Sequence, residues 1–376
     1  MPGLLPHVDP DGLLEFSVVY TDRALNHMSQ RFVGVMQDII AGMREAYGAH
    51  SVAIVPGGGT YGMEAVARQL AHDRKVMVLR NGWFSFRWTQ ILDTGRIAQD
   101  VLVAKARPAD GSAQAPWSPA PLEEVLATIR AEQPAVVFAP HVETASGIML
   151  PDDYIRQVTE AVHAHGGLMV LDCIASGAIW VDMQATGVDV LITAPQKGWS
   201  GTPCAAMIGL SERARQAVEA STSSSFACDL KKWTQITEGY EKGAAAYHAT
   251  MPTDALVTLR DVMQEARSQG LEQLRQQQLE LGREVRALLE SRGFPSVAAE
   301  GFQAPGVVVS YTTDPDIQNG SKFRAQGLQV AAGVPLQCDE PDSFRTFRLG
   351  LFGLEKCRNI GRTVSQLRDA LDRIQG

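Results

Sequence analysis

Two short apolar runs, each carrying a charged residue at its end, constrain the fold of this chain more than any other feature. Residues 167–173 read GLMVLDC and include Asp172, and residues 189–197 read DVLITAPQK and end on Lys197. Each run is long enough for a buried strand, and buried parallel strands are nearly continuous in apolar residues. Charge is costly inside a sheet, so its place at strand ends indicates a function. Ligands of open α/β sheets bind outside the carboxyl ends of the strands.

A carboxylate and an amine at that edge are the pair that pyridoxal phosphate needs. Lys197 can form a Schiff base with the cofactor's aldehyde. Asp172 can keep the pyridine nitrogen protonated, so that the ring accepts electrons. A buried ion pair, or two unrelated loop charges, would give the same spacing.

A glycine-rich turn lies upstream of this pair. Residues 51–55 are predicted to form a strand, PGGGT follows at 56–60, and a helix is predicted from about Tyr61. Glycines let the backbone approach an anion, and the free N–H groups of a helix start face it. The pattern matches neither the dinucleotide-binding nor the P-loop motif. Glycine turns between a strand and a helix are also common without any ligand.

Two further segments follow predicted strands. Residues 81–88, NGWFSFRW, come after the strand-like residues 76–79, and an aromatic ring there can stack on a flat heterocycle or pack in the core. Residues 141–147, HVETASG, come after the strand-like residues 135–139. Their polar side chains are therefore expected at the same carboxyl edge.

The alternation of strand-like and helix-like runs between residues 51 and 208 predicts an α/β fold, with a mainly parallel sheet covered by helices. A long helical stretch is expected from residue 253 to about 292, followed by a smaller α+β C-terminal domain. We predict a large cofactor-binding domain at residues 21–255. Residues 1–20 and 256–376 are predicted to form the small domain.

Composition excludes several classes of protein. A net charge of −8 argues against nucleic-acid and anionic-membrane surfaces, and no run of 18 apolar residues is present. The N-terminus lacks the pattern of a signal or transit peptide. The five cysteines form no CxxC pair and no metal-ligand spacing, so we expect no metal site and a cytoplasmic protein with reduced thiols.

Taken in order, these motifs resemble the class V pyridoxal-phosphate aminotransferases. The likeness is carried by GGGTYGMEA, NGWFSFR, HVETASGI, VLDCIAS, DVLITAPQKGWSGTP, YHATMP and FRLGLFG, and it covers about residues 50 to 376. The chain is most similar to the alanine–glyoxylate and serine–pyruvate branch. The resemblance implies an aspartate-aminotransferase-like (fold type I) structure, pyridoxal 5'-phosphate as cofactor, and a homodimer with shared active sites.

The resemblance also assigns roles residue by residue. Lys197 corresponds to the Schiff-base lysine, Asp172 to the partner of the pyridine nitrogen, and Arg348 to the arginine that binds the substrate carboxylate. The expected cofactor-binding residues are Gly58, Gly59 and Thr60 in the phosphate loop, Phe84 (with Trp83 as the neighbouring possibility) as the stacking ring, Thr144, Gln196, and Tyr247 and Thr250, which reach the phosphate of the other subunit.

The sequence departs from the family pattern in three places. The N-terminal PGP segment is missing, and EFSVVYTDRALNHMSQRF stands in its region. Gly58 stands where a serine is common, and YHAT stands for YHHT. The first departure matters most, because that segment usually helps to frame the substrate pocket.

The sequence therefore predicts an aminotransferase that moves an amino group from a small amino acid of the alanine or serine type to a 2-oxo acid such as pyruvate or glyoxylate. A 2-aminoethylphosphonate or phosphoserine transaminase is an alternative, and it would need extra cations, for which Arg23, Arg31 and Arg87 are candidates. A cysteine desulfurase that uses Cys338 is a second alternative. Phe84 and Gln196 argue against it, because histidines are usual at those two positions in desulfurases.

Overall fold

A seven-stranded and a three-stranded β-sheet, with a pair of two-stranded sheets, organise residues 13–376, the part of the chain that the computed structural model describes. The strands are β1 (Ser51–Pro56), β2 (Lys75–Arg80), β3 (Asp100–Lys105), β4 (Arg107–Pro108), β5 (Trp117–Ser118), β6 (Val136–Pro140), β7 (Val142–Glu143), β8 (Ile148–Met149), β9 (Leu168–Asp172), β10 (Val190–Thr193), β11 (Ala205–Leu210), β12 (Val307–Tyr311), β13 (Ala331–Ala332) and β14 (Thr346–Gly350). The two-stranded sheets are β4-β5 and β7-β8.

Helices cover the two larger sheets. They are α1 (Gln30–Tyr47), α2 (Gly59–Leu70), α3 (Trp83–Thr94), α4 (Leu122–Glu132), α5 (Asp152–His163), α6 (Met183–Thr186), α7 (Glu212–Ala220), α8 (Leu230–Glu241), α9 (Thr253–Gln269), α10 (Leu271–Ser291), α11 (Pro315–Gln318), α12 (Ser321–Ala325), α13 (Leu354–Arg358) and α14 (Ile360–Gln375).

The large sheet is mixed but mainly parallel, as predicted. Its strand order is β1-β11-β10-β9-β6-β2-β3. β10, β9, β6, β2 and β3 are parallel neighbours, whereas β11 is antiparallel to both β1 and β10. β1 therefore runs in the same direction as the parallel strands. The segments that follow β1, β2, β6, β9 and β10 consequently meet at one edge of the sheet.

Burial of the central strands explains why polar residues are found at that edge of the sheet. Every residue of β9 and β10 is buried, and helices pack on the sheet, so these strands read as continuous apolar runs. Burying one Val or Leu side chain stabilises the folded state by about 1.5–3 kcal/mol. Apolar residues therefore occupy the interior of these strands, and the polar residues lie at the strand ends.

The expected continuous helix after residue 252 is interrupted. Gly270 has a φ of 97°, outside the helical region, and it separates α9 from α10. α9 packs against α1, whereas α10 packs against β12 and α14. The break therefore lets α9 pack beside the large sheet and α10 pack against the small sheet.

The small sheet has the order β12-β14-β13, and its strands are antiparallel. It lies within the predicted C-terminal domain and confirms the strand expected at 307–311 and most of the one at 344–350. The predicted limits at residues 20/21 and 255/256 stay a prediction. Among the described residues, no helix combines the length and apolarity needed to cross a membrane.

Candidate active site

A cavity of about 430 Å³ lies between the carboxyl edge of the large sheet and the small sheet. Its walls are formed by Gly59, Thr60, Met63, Phe84, Arg87, Val142, Thr144, Asp172, Ile174, Ala175, Gln196, Lys197, Val307, Ala331, Arg348, Gly350 and Phe352. Eight of the predicted site residues are in this set, although they come from distant parts of the sequence. The parallel strand direction brings them together.

Asp172 is the last residue of β9 and is only 8% exposed. Its Oδ1 accepts a hydrogen bond from the Ile174 backbone N–H at 2.9 Å. Burial raises the pKa of Asp172 to about 7, and the nearby Glu143 adds to the rise, while the Ile174 hydrogen bond and Arg87 oppose it. A buried carboxyl group of this kind is stabilised in its charged form by a cation placed in the cavity.

Lys197 lies in the turn after β10, which ends at Thr193, so the lysine follows the strand instead of ending it. Its Nζ lies 5.1 Å from the centre of the Phe352 ring. Burial lowers the pKa of Lys197, and the positive charge of Arg348 lowers it further. A lowered pKa supplies the neutral amine that nucleophilic and base chemistry require.

The turn that carries Lys197 is held by close backbone packing. A Cβ on Gly198 would lie 2.1 Å from the Gly177 carbonyl oxygen, so glycine is required beside the lysine. Ser200 Oγ accepts a hydrogen bond from the Leu354 N–H at 2.8 Å. The turn is thereby fixed to the segment after the small sheet.

The predicted phosphate loop connects β1 to α2, and the helix begins at Gly59, earlier than expected. Gly57 has a φ of 121°, and a Cβ there would meet the Tyr61 ring at 2.6 Å. A Cβ on Gly59 would lie 2.3 Å from Ile174 Cδ1. Gly58 caps α2 without a side-chain hydrogen bond, so the first N–H groups of the helix are open to an anion.

Phe84 lines the cavity near the start of α3, whereas Trp83 packs its ring 5.9 Å from that of Phe86. Glu143 holds this helix start. Its carboxylate accepts hydrogen bonds from the N–H of Phe84 at 3.2 Å and of Ser85 at 2.8 Å, and from the Ser85 hydroxyl at 2.7 Å. Burial raises the pKa of Glu143, and these hydrogen bonds oppose that rise.

Arg348 reaches the cavity from β14 of the small sheet. Its Nε donates a hydrogen bond to the Ala332 carbonyl at 2.8 Å, and its Cζ lies 5.4 Å from the Phe84 ring centre. Burial lowers the pKa of Arg348. The guanidinium thus lies across the cavity from the large sheet, where it can receive a carboxylate in a planar, bidentate fashion.

Tyr247 and Thr250 are not among the residues that line this cavity. Tyr247 is 54% exposed, and its hydroxyl lies 3.3 Å from Thr250 Oγ1. The tyrosine ring packs against His27, with ring centres 5.5 Å apart. Both hydroxyls therefore lie at the surface of the single chain.

Cys338 also lies elsewhere. Its side chain is buried, its Sγ donates to the Arg80 carbonyl at 3.3 Å, and it lines a different cavity together with Lys105 and Asp339. Burial raises the pKa of the Cys338 thiol to about 12. A thiol in that state is a poor nucleophile, and the placement argues against the desulfurase alternative.

Sequence reasoning missed three contributors. Phe352 follows the FRLG motif, and its aromatic character in LFG was an available signal. Glu143 lies in HVETASG, which we expected at this edge, but its hydrogen bonds to α3 could not be predicted from the sequence pattern. Arg87 was considered only as an extra cation, and its contact with Thr60 was not foreseen.

The family profile described as "Aminotransferase class-V" matches residues 14–333. Three curated relatives cover nearly the whole chain. A protein named soluble hydrogenase, small subunit, from Synechococcus sp. is 25% identical over 92% of this chain and 87% of its own. Alanine–glyoxylate aminotransferase of Oryctolagus cuniculus is 24% identical over 92% and 86%. A 2-aminoethylphosphonate–pyruvate transaminase of Burkholderia lata is 26% identical over 93% and 90%.

Solved structures support the same fold. The crystal structure of alanine–glyoxylate aminotransferase from Nostoc sp. superposes with a TM-score of 0.79 at 22% identity, over 93% of this chain and 89% of that one. The predicted aspartate-aminotransferase-like α/β fold is confirmed. Within residues 13–376, no group of three or more His, Cys, Asp or Glu residues is arranged to hold a metal ion.

Proposed function

The chain belongs to aminotransferase class V, and from that premise we propose that it transfers the amino group of a small amino acid, of the alanine or serine type, to a 2-oxo acid such as pyruvate or glyoxylate. We propose pyridoxal 5'-phosphate as its cofactor. The observation that carries the proposal is the meeting of Asp172, Lys197 and Arg348 in one cavity between the two sheets.

The residues of the cavity fit this cofactor. The open start of α2 suits a phosphate, because its N–H groups lack a side-chain partner at Gly58. The buried Asp172 suits a protonated pyridine nitrogen, which would supply the cation that its carboxylate lacks inside the protein. Phe84 offers a flat ring to a flat heterocycle, and Thr144 and Gln196 add polar groups to the lining of the cavity.

Bound pyridoxal phosphate supplies an electron-accepting ring conjugated to the substrate's Cα. Lys197 would hold the cofactor and, once released, move the proton from the substrate's Cα, a role that its lowered pKa favours. Asp172 would hold the proton on the pyridine nitrogen. Arg348 would bind the α-carboxylate with both nitrogens of its fork and so orient Cα toward Lys197.

A transaminase for 2-aminoethylphosphonate or phosphoserine is the second candidate, and the match to a relative of the first name favours it. Such a substrate needs a cation for its distal anion. Of the three arginines considered, Arg87 lines the cavity, whereas Arg23 is exposed on the N-terminal segment and Arg31 lies near the start of α1. The substrate test therefore includes both classes of amine.

Half-reaction spectra test the proposal. The purified protein is expected to carry a yellow chromophore that bleaches when the true amino donor is added, and borohydride should attach the cofactor to a peptide containing Lys197. The panel contains alanine, serine, aspartate, phosphoserine and 2-aminoethylphosphonate, with Lys197→Ala as the matched control. Labelling of another lysine, or full turnover by Lys197→Ala, would overturn the assignment.

We also propose a homodimer in which Tyr247 and Thr250 complete the partner's phosphate site. The exposure of Tyr247 supports this, as does Phe226, which is 78% exposed and has its ring centre 4.7 Å from that of His248, the next residue after Tyr247. Exposed aromatic residues of this kind are typical of interfaces. A cytoplasmic location, expected from the cysteines, stays a prediction.

Mixing two inactive variants tests the shared site. Lys197→Ala and Tyr247→Phe/Thr250→Ala subunits are combined under conditions where native subunits exchange. A shared site restores part of the activity, because one site of each hybrid keeps its own lysine and its neighbour's hydroxyls. A mixture that stays inactive despite exchange would show that each chain builds its site alone.

A further inference from the structure

We propose that Arg87 is a binding residue for the cofactor's phosphate and supplies, from α3, the contact that Gly58 cannot make. The inference rests on the proposed function, since it concerns pyridoxal phosphate in the cavity described above. It assigns Arg87 to the cofactor and not to a distal anion of the substrate.

The position of the guanidinium carries the first step. Arg87 Nη1 donates a hydrogen bond to Thr60 Oγ1 at 3.1 Å. Thr60 follows Gly59 in the first turn of α2, so this contact places the guanidinium beside the open N–H groups of that helix. The Cζ of Arg87 also lies 5.2 Å from the centre of the Phe84 ring, on which the cofactor's ring is expected to stack.

The geometry of Gly58 carries the second step. The residue that caps a helix usually accepts hydrogen bonds through a side-chain oxygen, and near a phosphate such a hydroxyl can also donate. Gly58 has no side chain, and a Cβ built on it meets nothing within 4 Å. The space above the loop is therefore open, and Arg87 lies at its side.

Charge carries the third step. A phosphate dianion is only partly balanced by the start of a helix, which carries about half a positive charge. Asp172 lines the cavity, whereas Glu143 is buried against the start of α3 and adds to the raised pKa of Asp172. Arg348 is held on the other side by the Ala332 carbonyl. Arg87 is therefore the guanidinium placed to neutralise the phosphate, through two N–H donors in a fixed plane.

Equilibrium binding of pyridoxal phosphate and of pyridoxal, which lacks the phosphate, separates the roles that Arg87 can have. Cofactor-free protein is titrated with each compound, and binding is followed by tryptophan fluorescence and by the bound chromophore. The variants are Arg87→Gln and Arg87→Lys, and Arg130→Gln on the exposed face of α4 is the matched control for lost charge. Circular dichroism confirms that each variant is folded.

We expect Arg87→Gln to raise the Kd for pyridoxal phosphate by a factor of about 10 to 100 and to change the Kd for pyridoxal by less than about twofold, because a hydrogen bond to a charged group is worth about 1.5–3 kcal/mol. The Kd of Arg87→Lys for pyridoxal phosphate should lie between those of the native protein and Arg87→Gln. The Kd of Arg130→Gln should equal that of the native protein. The double variant Gly58→Ser/Arg87→Gln should recover part of the lost affinity.

Three results would overturn the inference. Equal weakening of both compounds would show that Arg87 only supports the fold of the site. An unchanged Kd with a raised KM for 2-aminoethylphosphonate would assign Arg87 to the substrate, and an unchanged Kd with unchanged kinetics would leave it no role. A native protein that binds neither compound would instead reject the proposed function itself, so the two failures are distinguishable.

Discussion

The raised pKa of Asp172 predicts how the stability of the cofactor-free protein depends on pH. Burial raises that pKa from its ordinary value of 3.8 to about 7. Between pH 4 and pH 7 the folded protein therefore keeps a proton that the unfolded chain releases. The free energy of unfolding consequently falls as the pH rises through this interval, and this contribution levels off about one pH unit above the folded-state pKa.

The size of the effect follows from the same two values. One pKa unit corresponds to about 1.4 kcal/mol, so the full loss is about 4 kcal/mol, a large share of the 5–15 kcal/mol that is typical of a domain. Asp172→Asn removes this loss because an amide does not titrate. His141 lies next to the site, and burial lowers its pKa to about 4. Its contribution is lost as the pH falls, but it is common to both proteins and cancels in the comparison.

Urea unfolding of the cofactor-free native protein and of Asp172→Asn, at several pH values between 5 and 8, measures the difference. The gap between their free energies of unfolding should change by about 3 kcal/mol across this range, in favour of the variant at high pH. Parallel pH profiles would refute the reasoning, because they would mean that Asp172 is ionised in the folded protein as in the unfolded chain. The same variant should lose about 10²-fold in transamination rate, since an amide cannot stabilise the pyridinium.

Groups in and near the cavity give further predictions. Arg348→Lys should raise the KM for both the amino acid and the 2-oxo acid about 10- to 100-fold with a smaller change in kcat, because lysine cannot form the planar fork; steady-state kinetics with each substrate varied checks this. Glu143→Gln should lower the free energy of unfolding, measured in urea, by about 1–3 kcal/mol, since the carboxylate accepts from two N–H groups at the start of α3 and from the Ser85 hydroxyl. Cys338→Ala should keep the native kcat, because the Cys338 Sγ lies outside the cavity, where it donates a hydrogen bond to the Arg80 carbonyl. Loss of turnover in a folded variant would show that Cys338 takes part in the reaction.

Strand ends were the most predictable part of the site. The runs before Asp172 and Lys197 are apolar because β9 and β10 are buried; Asp172 ends β9 as expected, whereas β10 ends at Thr193, before the lysine. The glycine loop was visible for a similar reason, since Gly57 and Gly59 each lack room for a Cβ. Burial and steric constraints within a short segment restrict the residue types of that segment, so they can be read from the sequence.

Contacts between segments that are distant in the sequence could not be predicted in this way. The bonds from the α3 start to Glu143, and from Arg87 to Thr60, depend on how β1, β2 and β6 lie in the sheet. The order of those strands is not sequential, so no window of sequence contains both partners. The break at Gly270 was missed for a different reason, because apolar positions continue on both sides of it and hide the change of packing partner.

Helix α10 contacts the surroundings of Lys197 through one buried side chain. Gln278 in α10 is 1% exposed, and its Nε2 donates to the carbonyls of Pro305 and Leu351, each at 3.3 Å. A Cβ on Gly177 would lie 2.9 Å from Gln278 Oε1, and Gly177 in turn packs against Gly198, next to the lysine. Any displacement of α10 therefore reaches the Lys197 turn and the segment that carries Phe352 together. Because the lowered pKa of Lys197 comes chiefly from burial, a substitution at Gln278 that loosens this packing is expected to raise that pKa toward its ordinary value.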